Sequence, residues 1–231
     1  MIIGIAGNIN SGKDTVASIL NYIFVVGKHK AKYSDWLIKQ KVWDKSYSNR
    51  ITHFADTIKD NLSNIFSIPR HLFDDRKHKD ELWYVPTTGK FIEDRDIKDT
   101  DIKYMPQMPL DILQKNPRVI VKIRTLMQVY AETIKQIFGK TIWIKNTIDN
   151  AENIDYIFDY CLIPDVRFHE ELTHIWRANG IVIKVERKSN EINSNHCSEN
   201  NNLPCNYTIE NDGNLQDLFY MTLALYERIK S

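Results

Sequence analysis

The chain opens with an apolar run, residues 1–6, then a short polar stretch, then apolar positions at three- and four-residue intervals through residues 13–24. The run suits a buried strand and the spacing suits a helix, so the first 24 residues predict a strand, a turn and a helix. Residues 50–55 predict a short second strand and residues 56–66 a helix with Ile58, Leu62 and Ile65 at helical spacing. Residues 119–138 predict a long helix turning Ile123, Leu126, Met127, Tyr130, Ile134 and Ile137 inward, ended by Gly139. Residues 155–163 are the most apolar stretch after the first and predict a strand, followed by a helix over 170–178. A strand over 181–186, a short strand over 207–209 and a helix over 215–229 complete the pattern, with turns at Asn179-Gly180 and Asn211-Asp212-Gly213. This order predicts an α/β fold: a central, mostly parallel sheet flanked by helices.

Three segments fall outside that rhythm. Residues 27–50 carry seven basic residues, Lys28, Lys30, Lys32, Lys39, Lys41, Lys45 and Arg50, against Asp35 and Asp44, with Trp36 and Trp43 among them. Such a stretch either binds nucleic acid or is a helix whose Trp36, Leu37, Val42 and Trp43 face a core beneath a solvated lysine face, and the second reading is preferred. Residues 80–92 predict a hairpin around Pro86-Thr87-Thr88-Gly89, followed by an acidic loop holding Glu93, Asp94, Asp96, Asp99 and Asp101. The stretch from about 56 to 140 is therefore an insertion on the core. Residues 187–206 are polar and rich in Asn, the composition of a lid-like loop.

The chemistry concentrates in Gly7-Asn8-Ile9-Asn10-Ser11-Gly12-Lys13-Asp14-Thr15. Two glycines, a lysine and the mouth of a helix, placed after a strand, form a phosphate-cradling P-loop: backbone N–H groups converge on an anion and the helix N-terminus adds positive potential. Lys13 is placed to reach the β and γ phosphates. Ser or Thr normally follows this lysine as a Mg²⁺ ligand; here Asp14 does, with Thr15 next, and either can hold the ion. Asp56 and Lys59 lie in the first turns of a helix after a strand, where α/β folds bind ligands; a capping Asp56 with a solvent-facing Lys59 explains them equally well. Arg124 and Gln128 share a helical face and offer a guanidinium and an amide, or simply decorate a surface. Asp165 and Arg167 follow an apolar strand, where Asp165 can order Mg²⁺ water and Arg167 can pair with a phosphate.

Length and composition set the frame for this chemistry. At 231 residues, 42% hydrophobic and 26% charged, the chain can bury one sizeable α/β core with inserted parts. A net charge of +1 provides no global field for polymeric nucleic acid or an anionic membrane. With no membrane-length apolar stretch and no signal-like N-terminus, the expectation is a soluble cytoplasmic protein. Of the three cysteines, Cys161 belongs in the core, while Cys197 and Cys205 beside His196 are free thiols rather than a zinc site.

With these residues assembled, the chain resembles the phage-type deoxynucleoside monophosphate kinases, a branch of the P-loop kinases. Gly-x-x-x-Ser-Gly-Lys-Asp-Thr is similar to that family's P-loop, where Asp also follows the lysine. Asp165-Val166-Arg167-Phe168 with Glu171 looks like its Asp-Val-Arg-Phe-x-x-Glu motif, followed by a helix, Gly180 and a strand ending in Arg187. His196-x-Ser198-Glu199 and Ile209-x-Asn211-x-Gly213-x-Leu215 are similar to its C-terminal loop and adenine-side turn. Weaker matches are Phe54-Ala55-Asp56-x-x-Lys59 and Arg124-x-x-x-Gln128 with Trp143 downstream. The departures are Pro164, His169 and Ala131-Glu132-Thr133.

The resemblance implies a single P-loop kinase domain over residues 1–231, with substrate-binding residues at about 56–140 and a lid at about 187–206. It implies transfer of the ATP γ-phosphoryl group to a deoxynucleoside monophosphate with Mg²⁺. Lys13, Arg167 and Asp165 would be catalytic. Gly7, Asn10, Ser11, Gly12, Asp14, Thr15, Arg187, Asn211 and Gly213 would hold ATP, the last two at the adenine. Lys59, Arg124, Gln128, Arg167 and Glu171 would serve the acceptor. A viral origin and a homodimer are further implications. The rival readings are a P-loop kinase for another small phosphorylated acceptor, such as phosphomevalonate or dephospho-coenzyme A, and a non-catalytic ATP-binding module.

Overall fold

The computed structural model describes residues 1–42, 49–66, 68–75, 82–86, 92–93, 118–188 and 203–230. In chain order its elements are β1 (Ile2–Gly7), α1 (Lys13–Val26), α2 (Tyr33–Val42), α3 (Asp56–Phe66), β2 (Leu82–Pro86), β3 (Ile92–Glu93) and β4 (Arg118–Lys122). There follow α4 (Ile123–Phe138), α5 (Ile142–Phe158), β5 (Cys161–Val166), α6 (His169–Arg177), β6 (Ile181–Glu186), β7 (Tyr207–Glu210) and α7 (Leu215–Lys230). They form two compact units, residues 1–54 with 144–231, and residues 55–143.

In the first unit four strands form a sheet in the order β5-β1-β6-β7, parallel throughout. Because successive side chains alternate between faces, Ile3 and Ile5 of β1 enter one core with α1, α2 and α7, while Ile2 and Ala6 enter another with α5 and α6. Covering both faces explains why these strands read as continuous apolar runs, and the α/β class expected from the sequence is the observed one. Trp36 is 1% exposed and lies among Tyr33 and Phe219, with its indole N–H donating to Ser18 Oγ at 3.2 Å. It is a core residue, unavailable for base stacking; Trp43 lies outside the described residues.

Two strand expectations need correction here. Residues 50–55 make only an isolated parallel bridge at Ile51, with Leu162 N–H donating to Arg50 O and Thr52 N–H to Leu162 O, each at 2.9 Å. The next donor on β5 would be residue 164, and Pro164 has no N–H, so the ladder ends. The strand expected over 155–163 begins only at Cys161, because Ile144, Ile148 and Ala151 extend the helical repeat of α5 and Asp159, at φ 65°, stops it. Cys161 is fully buried as expected, and burial pushes its thiol up to about 12.

In the second unit α3 and α4 share a core of Ile58, Leu62, Ile68, Leu72, Phe73, Ile123 and Trp143. Ile137, expected inward, is 65% exposed near the end of α4, and Ile65, at helical spacing with Ile58 and Leu62, is 59% exposed while its neighbour Phe66 packs against the core. The helix expected from residue 119 starts at Ile123: the β-branched run Val119-Ile120-Val121 instead forms β4, antiparallel to β2. The expected hairpin is present as β2 paired with β3 through Trp83↔Glu93 and Tyr84↔Ile92, while its turn residues 87–89 and the acidic residues 94–101 lie outside the described residues.

Trp36→Ala should lower stability by about 3–5 kcal/mol, the cost of emptying a buried aromatic site. Denaturant unfolding checks this, and a loss below about 1 kcal/mol would contradict the packing described.

Candidate phosphate-binding site

The parallel register brings the ends of the four strands level with one another. Gly7 lies opposite Val185, Ala6 opposite Val166, and Val185 opposite Ile209, so the P-loop, Arg167, Arg187 and Asn211 all emerge at one carboxyl edge. At β5 the register shifts: Gly4 faces Ile163 but Ala6 faces Val166, so Pro164 and Asp165 together oppose Ile5. Such a bulge redirects the following residues and accommodates a proline within the sheet.

The loop itself needs its glycines. Gly7 at φ 148° passes so close to β6 that a Cβ there would stand 2.3 Å from Val185 O, and Gly12 at φ 103° caps α1 in a left-handed conformation. Asn10 is also left-handed, at φ 62°. Ser11 N–H donates to Asn8 O at 3.1 Å, closing the turn. Ser11 is 1% exposed, and its Oγ has no hydrogen-bond partner among the described residues. A buried hydroxyl left unpaired is costly, and one lying in a loop of this curvature at a helix N-terminus fits an anionic oxygen. The Lys13 ammonium donates to Gly7 O at 2.8 Å and Asn8 O at 2.7 Å, so it is held over the loop. Asp14 is exposed in the first turn of α1 and Thr15 is half-buried; both are oxygen donors suited to Mg²⁺.

Around the loop, residues expected to touch ligands have structural contacts as well. Glu171 is buried, and its Oε2 accepts from Arg167 N–H at 2.6 Å and Phe168 N–H at 3.0 Å. It thereby secures the start of α6 and the backbone that presents the exposed Arg167. Burial pushes Glu171 up to about 7 from 4.5, against the opposing effect of those two N–H groups. The Asn211 side chain donates to Ser11 O at 2.8 Å and is 6% exposed, so its amide meets the phosphate loop. Gly213 is exposed beyond it, close to Asp217. Arg187 is exposed at the end of β6, while residues 189–202 of the expected lid, including His196, Cys197, Ser198 and Glu199, lie outside the described residues.

In the second unit Lys59 is 8% exposed, so the solvent-facing alternative does not hold. Its ammonium meets Asp56 at 3.3 Å and Asp74 at 2.8 Å. Both carboxylates also bind Arg70, which meets Asp74 at 2.6 Å, Asp56 at 3.0 Å and Asp60 at 2.5 Å. Arg124 and Gln128 are both exposed on α4.

The deoxynucleotide monophosphate kinase family model matches residues 1–221. The chain belongs to the deoxynucleotide monophosphate kinase family. It is similar to the deoxynucleotide monophosphate kinase of Enterobacteria phage T4, 27% identical over 139 residues, which are 58% of this chain and 57% of that protein. The aligned region thus spans little more than half of that relative's length.

Sequence reasoning misses Arg70, although its spacing to Asp74, one helical turn, is a standard ion-pair separation. Among the described residues no helix is long and apolar enough to cross a membrane.

The proton affinity of Glu171 makes stability depend on pH. Its folded carboxyl keeps a proton up to about 7 whereas the unfolded one releases it near 4.5, so its favourable contribution is complete below 4.5 and is lost as pH rises through 7. Glu171→Gln should remove that slope, with each tenfold difference in proton affinity equivalent to about 1.4 kcal/mol. Melting curves of both proteins between acid and neutral pH check it; parallel curves would contradict the burial assigned to this carboxyl.

Proposed function

We propose that this protein transfers the γ-phosphoryl group of ATP to the 5′-phosphate of a deoxynucleoside monophosphate, giving the diphosphate and ADP. The observation that carries this reading is the P-loop with its buried Ser11 Oγ, which has no hydrogen-bond partner among the described residues, in a chain of the deoxynucleotide monophosphate kinase family. An acceptor oxygen bonds to the γ-phosphorus as the bond to the β–γ bridging oxygen breaks, and the electron pair leaves with ADP. The acceptor is already an anion, so the reaction needs alignment and charge neutralisation more than a general base.

In this reading the amides of the 7–13 loop and Lys13 grip the β and γ phosphates. Asp14 or Thr15 would hold Mg²⁺, with Asp165 ordering its water, and the ion would supply further neutralisation of the phosphate charge. Arg167 meets the transferring group, and Glu171 fixes the backbone that carries it. Lys59, Arg124 and Gln128, from the 56–140 insertion, take the acceptor's phosphate and base, and Asp56 and Asp74 orient Lys59. Arg187, at the end of β6, covers ATP and helps exclude water that would otherwise accept the phosphoryl group.

Coupled ADP release measured with dAMP, dGMP, dCMP, dTMP and the matching ribonucleotides tests the reading. Turnover with at least one deoxynucleotide is expected. Silence with every one of them, while ATP still binds, would move the assignment to another phosphorylated acceptor or a binding module. Lys13→Ala should abolish turnover in a folded protein. Arg167→Ala should reduce kcat by about a hundredfold or more, as for a group aimed at charge in the transition state; a change in melting temperature with kcat intact would make Arg167 structural.

A further inference from the structure

The turn after β7 is tied to the phosphate loop. Asn211 N–H donates to Glu186 O at 2.7 Å, and the side-chain Nδ2 donates to Ser11 O at 2.8 Å. The same Nδ2 lies 2.6 Å from the place a Cβ on Gly12 would occupy. One amide therefore backs both Ser11 and Gly12, and at 6% exposure it is poorly placed to be replaced by bulk water. The following residue grips the far side: Asp212 Oδ1 accepts from Lys188 N–H at 2.8 Å and Oδ2 pairs with Lys188 Nζ at 3.0 Å. A two-residue turn thus joins the end of β6, the chain just after Arg187, and the P-loop.

We propose that Asn211 is a positioning residue for the phosphate chain of the bound nucleotide: it acts through Ser11 and Gly12, holding the loop in its anion-binding curvature. This deepens the nucleotide reading above and rests on it. A carbonyl at Ser11 deprived of its donor would turn toward another partner, and the loop's amides and the Ser11 hydroxyl would turn with it. Adenine recognition then falls to other groups of the turn, such as the exposed backbone at Gly213.

Calorimetric titration with MgATP and with inorganic tripolyphosphate separates this role from others. Asn211→Ala should weaken both ligands by about tenfold, the worth of one well-formed buried hydrogen bond, while the acceptor KM changes less than about twofold. The isosteric Asn211→Asp should bind both ligands more weakly than Asn211→Ala at pH 8, where a carboxylate faces Ser11 O. It should recover as pH falls, because a protonated carboxyl can donate to that carbonyl; Asn211→Ala should show no such recovery. Unchanged affinity for both ligands in folded variants would overturn the proposal. So would weaker MgATP binding with tripolyphosphate binding intact, which would place Asn211 at the base. If the unaltered chain bound neither ligand, the nucleotide reading itself would fall.

Discussion

The hydrogen-bonded register of β1 between β5 and β6 is the constraint on which the rest depends. With Ala6 opposite Val166 and Gly7 opposite Val185, the chain after each strand leaves the sheet at the same level. The P-loop, Arg167 and Arg187 are then neighbours because of backbone pairing alone. A slip of one residue would reverse the facing of every side chain on β1, exchanging Ile3 and Ile5 with Ile2 and Ala6 between cores of different shape. The site's geometry is thus held by the burial that stabilises the fold.

Much of this unit was legible because its signals are local. An apolar run, two glycines and a helical repeat specify strand, turn and helix within 24 residues, and the largely apolar run from Ile181 to Glu186 specifies a strand just as locally. The failures arose where a distant partner decides. Whether Ile51 belongs to a strand depends on Pro164 of β5, which withholds the next donor. The run Val119-Ile120-Val121 was absorbed into the helical repeat beginning at Ile123, and only its pairing with β2 makes it a strand. Periodicity also points Ile137 inward and aligns Ile65 with Ile58 and Leu62, although both side chains are exposed.

The site shows the same division. Glycines, Lys13, Asp165 and Arg167 could be picked out from type and position. The tasks of Glu171 and Asn211 could not, since each serves through backbone groups that sequence does not place: Glu171 through the N–H groups of Arg167 and Phe168, Asn211 through a carbonyl 200 residues away. In the second unit, Lys59 is embedded with Asp56 and Asp74 around Arg70, so its charge is oriented by Asp56 of its own helix and by Asp74 from beyond it.

The central claim is that the 7–13 loop binds nucleotide phosphates. Backbone amide chemical shifts during titration with ADP and then with tripolyphosphate test it most directly. The account predicts large shifts for Ser11, Gly12, Lys13 and Asp14 with both ligands and small ones in β7. Saturating ADP that leaves the amides of the loop unmoved would contradict it.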